Sequence, residues 1–321
     1  MGIEKQPREA RFARISPGVM MAISVLAASC GAIFVRYAQQ EAPSLVIAAW
    51  RLGIGTLIMA PFALINHRNA LRTMTYQQWR FVVLSGIFLA GHFACWITSL
   101  KYTTVASSVV LVSMSPLLVA LISTFLLKEP LSKSAWAGLG IAVAGSVLVA
   151  FGDQLAPGSN NTSVNLSTSQ NDSRMWGNIL ALGGAVFMAG YLTIGRKLRA
   201  SLPLPPYAFT VFGSAALVLL AAALLSHEKM TGYLPVTYLW FLLLGLIPQT
   251  LGHAGFNWAL KYLPASIVSI ALLGEPIGSS IFAMILLGEL PAPYEIAGGV
   301  LILTGIYLAA SQGRNKSSVA A

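Results

Sequence analysis

Ten apolar runs alternate with polar connections along the chain, at residues 17–37, 43–65, 77–100, 104–127, 133–152, 175–196, 205–226, 236–260, 264–287 and 292–312. Each is close to the roughly 20 residues that an α-helix needs to cross a hydrocarbon core about 30 Å thick. The pattern predicts an all-α polytopic membrane protein with ten transmembrane helices. Most connections are short, which makes sequential helices antiparallel neighbours. The exception is 152–175, rich in Ser, Asn and Thr, which reads as a flexible polar linker. It separates a first five-helix unit, 17–151, from a second, 176–311.

The two units are copies. Residues 100–152 align with 260–312 without a gap at an offset of 160 residues, pairing Lys101/Lys261, Tyr102/Tyr262, Pro116/Pro276, Glu129/Glu289, Gly138/Gly298 and Gly145/Gly305. Upstream, Gly91-His92 falls on Gly252-His253 at 161, and Gly18 on Gly177 at 159. Apolar composition alone would pair Leu with Leu, but not a Lys-Tyr, a mid-run Pro and a Glu in register. A period this long lies beyond solenoid units and marks duplication of a half, as in transporters. An odd number of crossings per copy means that the second enters the membrane upside down, so the repeat is inverted.

Composition agrees with a lipid environment. The chain is 56% hydrophobic and 9% charged, with mean hydropathy +0.73, against roughly 25% charge in soluble domains. The formal charge of +10 comes from basic residues scattered singly in loops. No basic stripe with stacking aromatics suggests nucleic acid. With the N-terminus in the cytoplasm, fifteen of the twenty Lys and Arg fall inside; Arg36, Lys101, Arg174 and Lys229 fall outside and Arg51 lies within a run. By the positive-inside rule this predicts a multi-pass protein of the cell (inner) membrane with both termini cytoplasmic. The linker is then extracytoplasmic, and its Asn-x-Ser/Thr triplets, such as Asn161-Thr162-Ser163, fit chance in a Ser/Asn-rich loop. Ala27-Ala28-Ser29-Cys30 faintly resembles a lipoprotein cleavage box, but cleavage would remove a helix that the repeat requires. Cys30 and Cys95 lie inside apolar runs, which suggests neither disulfide nor metal pairing.

A few polar residues sit too deep to be ordinary. Glu275 lies midway along the ninth run, followed by Pro276, and Pro116 occupies the matching place in the fourth. Proline-interrupted helices at equivalent positions of two halves point to a transporter's site, and an intramembrane carboxylate usually faces a cavity or a partner. Arg51, about eight residues into the second run, needs an anion: Glu275, a substrate carboxylate or phosphate, or else backbone carbonyls in a structural role. His92 and His253 are repeat partners suited either to proton relay or to packing. Gln249, His253 and Asn257 recur every four residues and form one polar stripe on a helix, lining a pathway or joining helices. Trp96, Tyr191, Trp50 and Trp258 are candidates for cavity walls; Trp79, Trp136, Trp176 and Trp240 sit near run ends as interfacial anchors. The glycines let helices approach closely.

The chain contains no phosphate-cradling loop, His/Glu metal motif or nucleophile-elbow serine, so the expectation is no enzyme activity, no catalytic residues, no metal and no cofactor. Lys101-Tyr102-Thr103-Thr104-Val105-Ala106 running into Ser115-Pro116, then Lys128-Glu129-Pro130-Leu131-Ser132 and Gly138 through Gly145, resemble the EamA-type family of the drug/metabolite transporter superfamily. So do Lys261-Tyr262-Leu263-Pro264-Ala265-Ser266, Glu275-Pro276, Leu287-Gly288-Glu289 and Gly298 through Gly305 in the second half. Ser115 replaces the acid often found before that proline in the family. The resemblance implies ten helices, cytoplasmic termini, a central cavity and movement of metabolites, often outward.

The combined expectation is a secondary transporter, an exporter of small metabolites or amino-acid-like solutes by alternating access, with protons as a possible coupling ion. Its partners are a small-molecule substrate and the lipid bilayer, with a homodimer left open. Rival readings are an exchanger of nucleotide sugars or phosphorylated metabolites, and a non-transporting scaffold or receptor.

Overall fold

A computed structural model describes residues 16–126, 133–155, 168–259 and 271–311, and every regular element in it is a helix. In chain order these are α1 (Pro17–Ser29), α2 (Gly31–Ala38), α3 (Ser44–Pro61), α4 (Arg68–Arg72), α5 (Tyr76–Ser99), α6 (Val105–Val112), α7 (Ser115–Leu126) and α8 (Lys133–Leu155). The second half holds α9 (Thr168–Arg199), α10 (Leu204–Leu225), α11 (Pro235–Leu244), α12 (Gly255–Ala259), α13 (Gly274–Leu287) and α14 (Pro293–Ser311). Local signals set the starts. Ser16 caps α1 ahead of Pro17, Thr75 and Gln78 form a capping box on α5, and Thr104 accepts from Ser107 N on α6, each satisfying donors that a first turn leaves free. Gly288, left-handed at φ 69°, closes α13, as glycine does without steric cost.

Seven of the described helical stretches are long and apolar enough to cross a membrane, and 105–119, 274–287 and 293–308 form shorter apolar helices. Large aliphatics remain bare on the outside, Leu57 and Ile65 among them, an exposure that lipid rather than water accommodates. The structure departs from ten plain rods in informative ways. The first run turns at Cys30 between α1 and α2. The fourth breaks at Ser113 and Met114, directly before Ser115-Pro116, and α13 starts after a turn at Leu273, two residues ahead of Glu275-Pro276. Each proline therefore sits in a first turn, where its missing N–H removes no hydrogen bond. In the eighth run, Gly245–Ala254 widens into a π-helix around Pro248, and Thr250 Oγ1 donates to Gly245 O at 2.8 Å inside it. α9 begins at Thr168, so the end of the expected linker is helical; 156–167 lie outside the described residues, as do the Lys128–Ser132 and Lys261–Ser266 motifs.

The packing repeats the sequence symmetry. α8 lies along α14, and α3 along α10. A Cβ on Gly145 would stand 2.6 Å from Gly298 O, one on Gly298 would stand 2.7 Å from Gly145 O, and one on Gly305 would collide with Gly138 O. Because 138 corresponds to 298 and 145 to 305, exchanging the halves maps this contact onto itself with the two helices antiparallel. The same exchange carries Gly91 against Phe187 onto Gly252 against Ala28, joining α5 to α9 in one place and the π segment to α1 in the other. Such close backbones exclude any side chain. Gly305→Val should destabilise the fold by about 1–3 kcal/mol, read as an earlier thermal transition of the detergent-solubilised protein, whereas Gly140→Val, with nothing within 4 Å of a Cβ, should not move it. Equal transitions for both variants would show that the α8–α14 contact is loose.

Candidate functional site

The helix breaks meet at one cavity. It has a volume of about 160 Å³ and is walled by Arg51 of α3, His92, Phe93 and Trp96 of α5, Ser115 and Pro116 of α7, Tyr191 of α9, His253 of the π segment, Phe256 of α12 and Glu275 of α13. Both halves contribute. Chain ends at the α6–α7 break and before α13 put Ser113 and Leu273 on the same wall, so the interruptions open space between otherwise close-packed helices.

Arg51 is the dominant group. It is 1% exposed, and its Nε donates to Gln249 Oε1 at 2.9 Å, across the two halves. The guanidinium lies 4.3 Å above the Phe93 ring centre and 5.5 Å from that of Trp96, where cation–π attraction offsets part of its desolvation. Its Nη1 is buried without a hydrogen-bond partner. A buried orphan donor on a cation costs a few kcal/mol, and an anion entering the cavity would remove that cost. Glu275 faces the same cavity, yet its carboxylate does not reach the 4.0 Å ion-pair distance from the guanidinium. Of the partners left open for Arg51, Glu275 is thus not in ion-pair contact; Arg51 bonds Gln249 instead, and the guanidinium and the carboxyl group both stand on the cavity wall.

The remaining residues sort by position. His92 Nδ1 lies 3.0 Å from Gly184 O. A carbonyl only accepts, so Nδ1 carries the proton, and in the neutral ring Nε2 is the acceptor. The His92 ring stacks parallel to Trp96, with centroids 6.2 Å apart, and Phe93 meets His253 edge-on at 6.1 Å. Gln249, 1% exposed, stands behind Arg51 instead of on the wall, so the polar stripe is divided between a positioning contact and a lining residue. Asn257 lies on α12, and its side chain is outside the described residues. Pro276 is buried just beyond the wall. Trp50 packs on Phe241 and donates to Met230 O, and Trp240 stacks on Tyr37 instead of standing as an exposed anchor. Phe93, Phe256 and Ser113 were not singled out from the sequence; only the Gly-His-Phe order, with Phe93 beside a deep histidine, signals the first.

In a cavity of this kind Gln249→Glu should place a carboxylate against Arg51 and compete with an incoming anion. Binding of anionic solutes should weaken roughly tenfold or more, measured by isothermal titration once a ligand is found. Unchanged affinity would detach Arg51 from recognition.

Comparison with known proteins places this geometry in a family. The chain is 23% identical over 265 residues to the uncharacterized transporter YyaM of Bacillus subtilis, covering 82% of this chain and 83% of that protein. It is 24% identical over 285 residues to the uncharacterized transporter YwfM of the same organism, at 88% and 90% coverage. A WAT1-related protein of Arabidopsis thaliana is 24% identical over 82% of this chain and 77% of its own length. A solved crystal structure superposes with a TM-score of 0.62 at 19% identity, over 93% of this chain and 98% of that one, so the fold is shared. The sequence profile of the EamA-like transporter family matches residues 16–151 and 175–311. The chain is a multi-pass membrane protein that belongs to the EamA-like transporter family.

Proposed function

We propose that this protein is a secondary active transporter that exports small metabolites or amino-acid-like solutes by alternating access about the Arg51–Glu275 cavity. In this reading ten crossings form two inverted five-helix units, 17–151 and 176–311, with both termini cytoplasmic in the cell (inner) membrane. The observation that carries it is that Arg51 and Glu275 share one cavity wall at the seam of the halves without ion-pair contact, with Arg51 Nη1 unpartnered. Inverted repeats whose broken helices meet at mid-bundle are the arrangement in which one bundle rocks against the other around a fixed site. In the proton-coupled version Glu275 is the carrier, and its loading depends on how near Arg51 approaches.

The size and charge of the cavity weigh against nucleotide sugars and phosphorylated metabolites. About 160 Å³ is below the roughly 300–1,000 Å³ of sites for drug-sized ligands. Among the described lining residues, Arg51 is the single Lys or Arg, where a diphosphate asks for several. A metabolite-release screen, comparing culture medium from cells with and without the protein, should show a few small carboxylate-bearing solutes enriched. Enrichment confined to sugar nucleotides would favour the rival, and no enrichment of any solute would leave the scaffold reading standing.

A further inference from the structure

Away from the cavity, at the end of the bundle that carries residues 36, 103–105 and 289, three runs that line the cavity and a fourth, α14, are tied together by polar contacts. Arg36 Nη2, at the end of α2, donates to Glu289 Oε1 at 2.6 Å and to Thr103 O at 3.1 Å. The second carboxylate oxygen, Oε2, accepts from Val105 N at 2.9 Å and so caps the first turn of α6, where the helix dipole favours an anion. Glu295, at the start of α14, accepts from Thr104 Oγ1 and Ser107 Oγ, both at 2.6 Å, and from Ala292 N at 2.8 Å. The fastening is therefore polar, joining α2, α6, the α13–α14 connection and α14.

Two properties distinguish it from a static brace. The Arg36 and Glu289 side chains are 26% and 24% exposed, so water reaches the pair and can replace it, while Arg36 Nε is buried without a partner. The closed contact thus carries an uncompensated donor that hydration on opening would satisfy, which narrows the gap between joined and parted states.

We infer that Arg36, Glu289 and the α6 N-terminus form a releasable latch that closes this end of the transport cavity. The inference rests on the transporter reading for its purpose, but not for its test. α6 and α13 both run from the latch to the cavity wall, through Val109 and Val112 on one and Glu275 on the other, so parting their ends at Glu289 opens a path between them. Under the orientation proposed above, this is the extracytoplasmic end.

The test uses the full-length protein with Cys30 and Cys95 replaced by serine and a single cysteine at Val109, in sided vesicles exposed to a membrane-impermeant thiol reagent. Labelling from the latch side should rise roughly three- to tenfold in Glu289→Gln and in Arg36→Gln. Each variant is first required to elute as a single species, and Arg36→Lys, which keeps the charge, should stay near the parent rate. Equal labelling in the parent and the two glutamine variants, or an Arg36→Lys variant as reactive as they are, would overturn the latch. If labelling follows the expected order while purified protein moves no solute, the latch stands and the transporter reading fails.

Discussion

Arg51→Ala should lower the apparent affinity for anionic solutes by roughly ten- to a hundredfold, because the variant loses a charge-assisted bond worth about 1.5–3 kcal/mol. The guanidinium is held on one side by Gln249 Oε1 and on its face by Phe93 and Trp96, while Nη1 stays unpartnered at the cavity. Alanine also leaves the Gln249 amide, 1% exposed, without its donor, so some stability is lost with the binding. Arg51→Lys separates the two effects. It keeps the cation but neither the flat face that stacks on the rings nor the Nε donor, and should recover part of the affinity. Uptake assays with matched anionic, zwitterionic and cationic solutes give the decisive comparison. Equal losses for all three would assign Arg51 a structural role alone.

The second large effect is expected at Glu275. Glu275→Gln preserves size and hydrogen-bonding capacity but removes the titratable group. If this carboxylate carries the coupling proton, the variant should still bind solute yet lose its response to a pH gradient. For one proton per solute, a one-unit gradient sustains up to about a tenfold solute gradient in the parent protein; in the variant the ratio should fall to one. Ser115 stands at the matching position of the first half, so no second carboxylate is available there to take over. A Glu275→Gln protein that still concentrates solute when a pH gradient is imposed would show that this carboxyl is not the proton carrier.

Much of this is legible in the sequence, and the physical reason differs from place to place. The breaks beside Pro116 and Pro276 were legible because a proline cannot donate within a helix, although the turns fall two or three residues earlier, at Ser113–Met114 and Leu273. The close glycine contacts were legible as packing, but their swapped pairing, 138 with 305 and 145 with 298, appears only when two helices are laid side by side. The π-helix at Gly245–Ala254 was not legible. A run apolar on most faces shows little periodicity, so 3.6 and about 4.4 residues per turn look alike in it. Nor was the Arg51–Gln249 bond, which spans 198 residues and depends on how the halves dock. Arg36 was counted among the few outer charges by position, and nothing local marks Glu289 as its partner across 253 residues.

The central claim is that the cavity shared by the two halves binds a solute and presents it to either side of a membrane. The most direct measurement is counterflow in proteoliposomes that contain only the purified protein, preloaded with an unlabelled solute from the release screen and diluted into the same solute carrying an isotope label. A transporter of this kind should accumulate label transiently above equilibrium, in a way that depends on the preload and disappears in Arg51→Ala. Label entry no faster than in protein-free liposomes, or entry that is indifferent to preload and to Arg51, would contradict it.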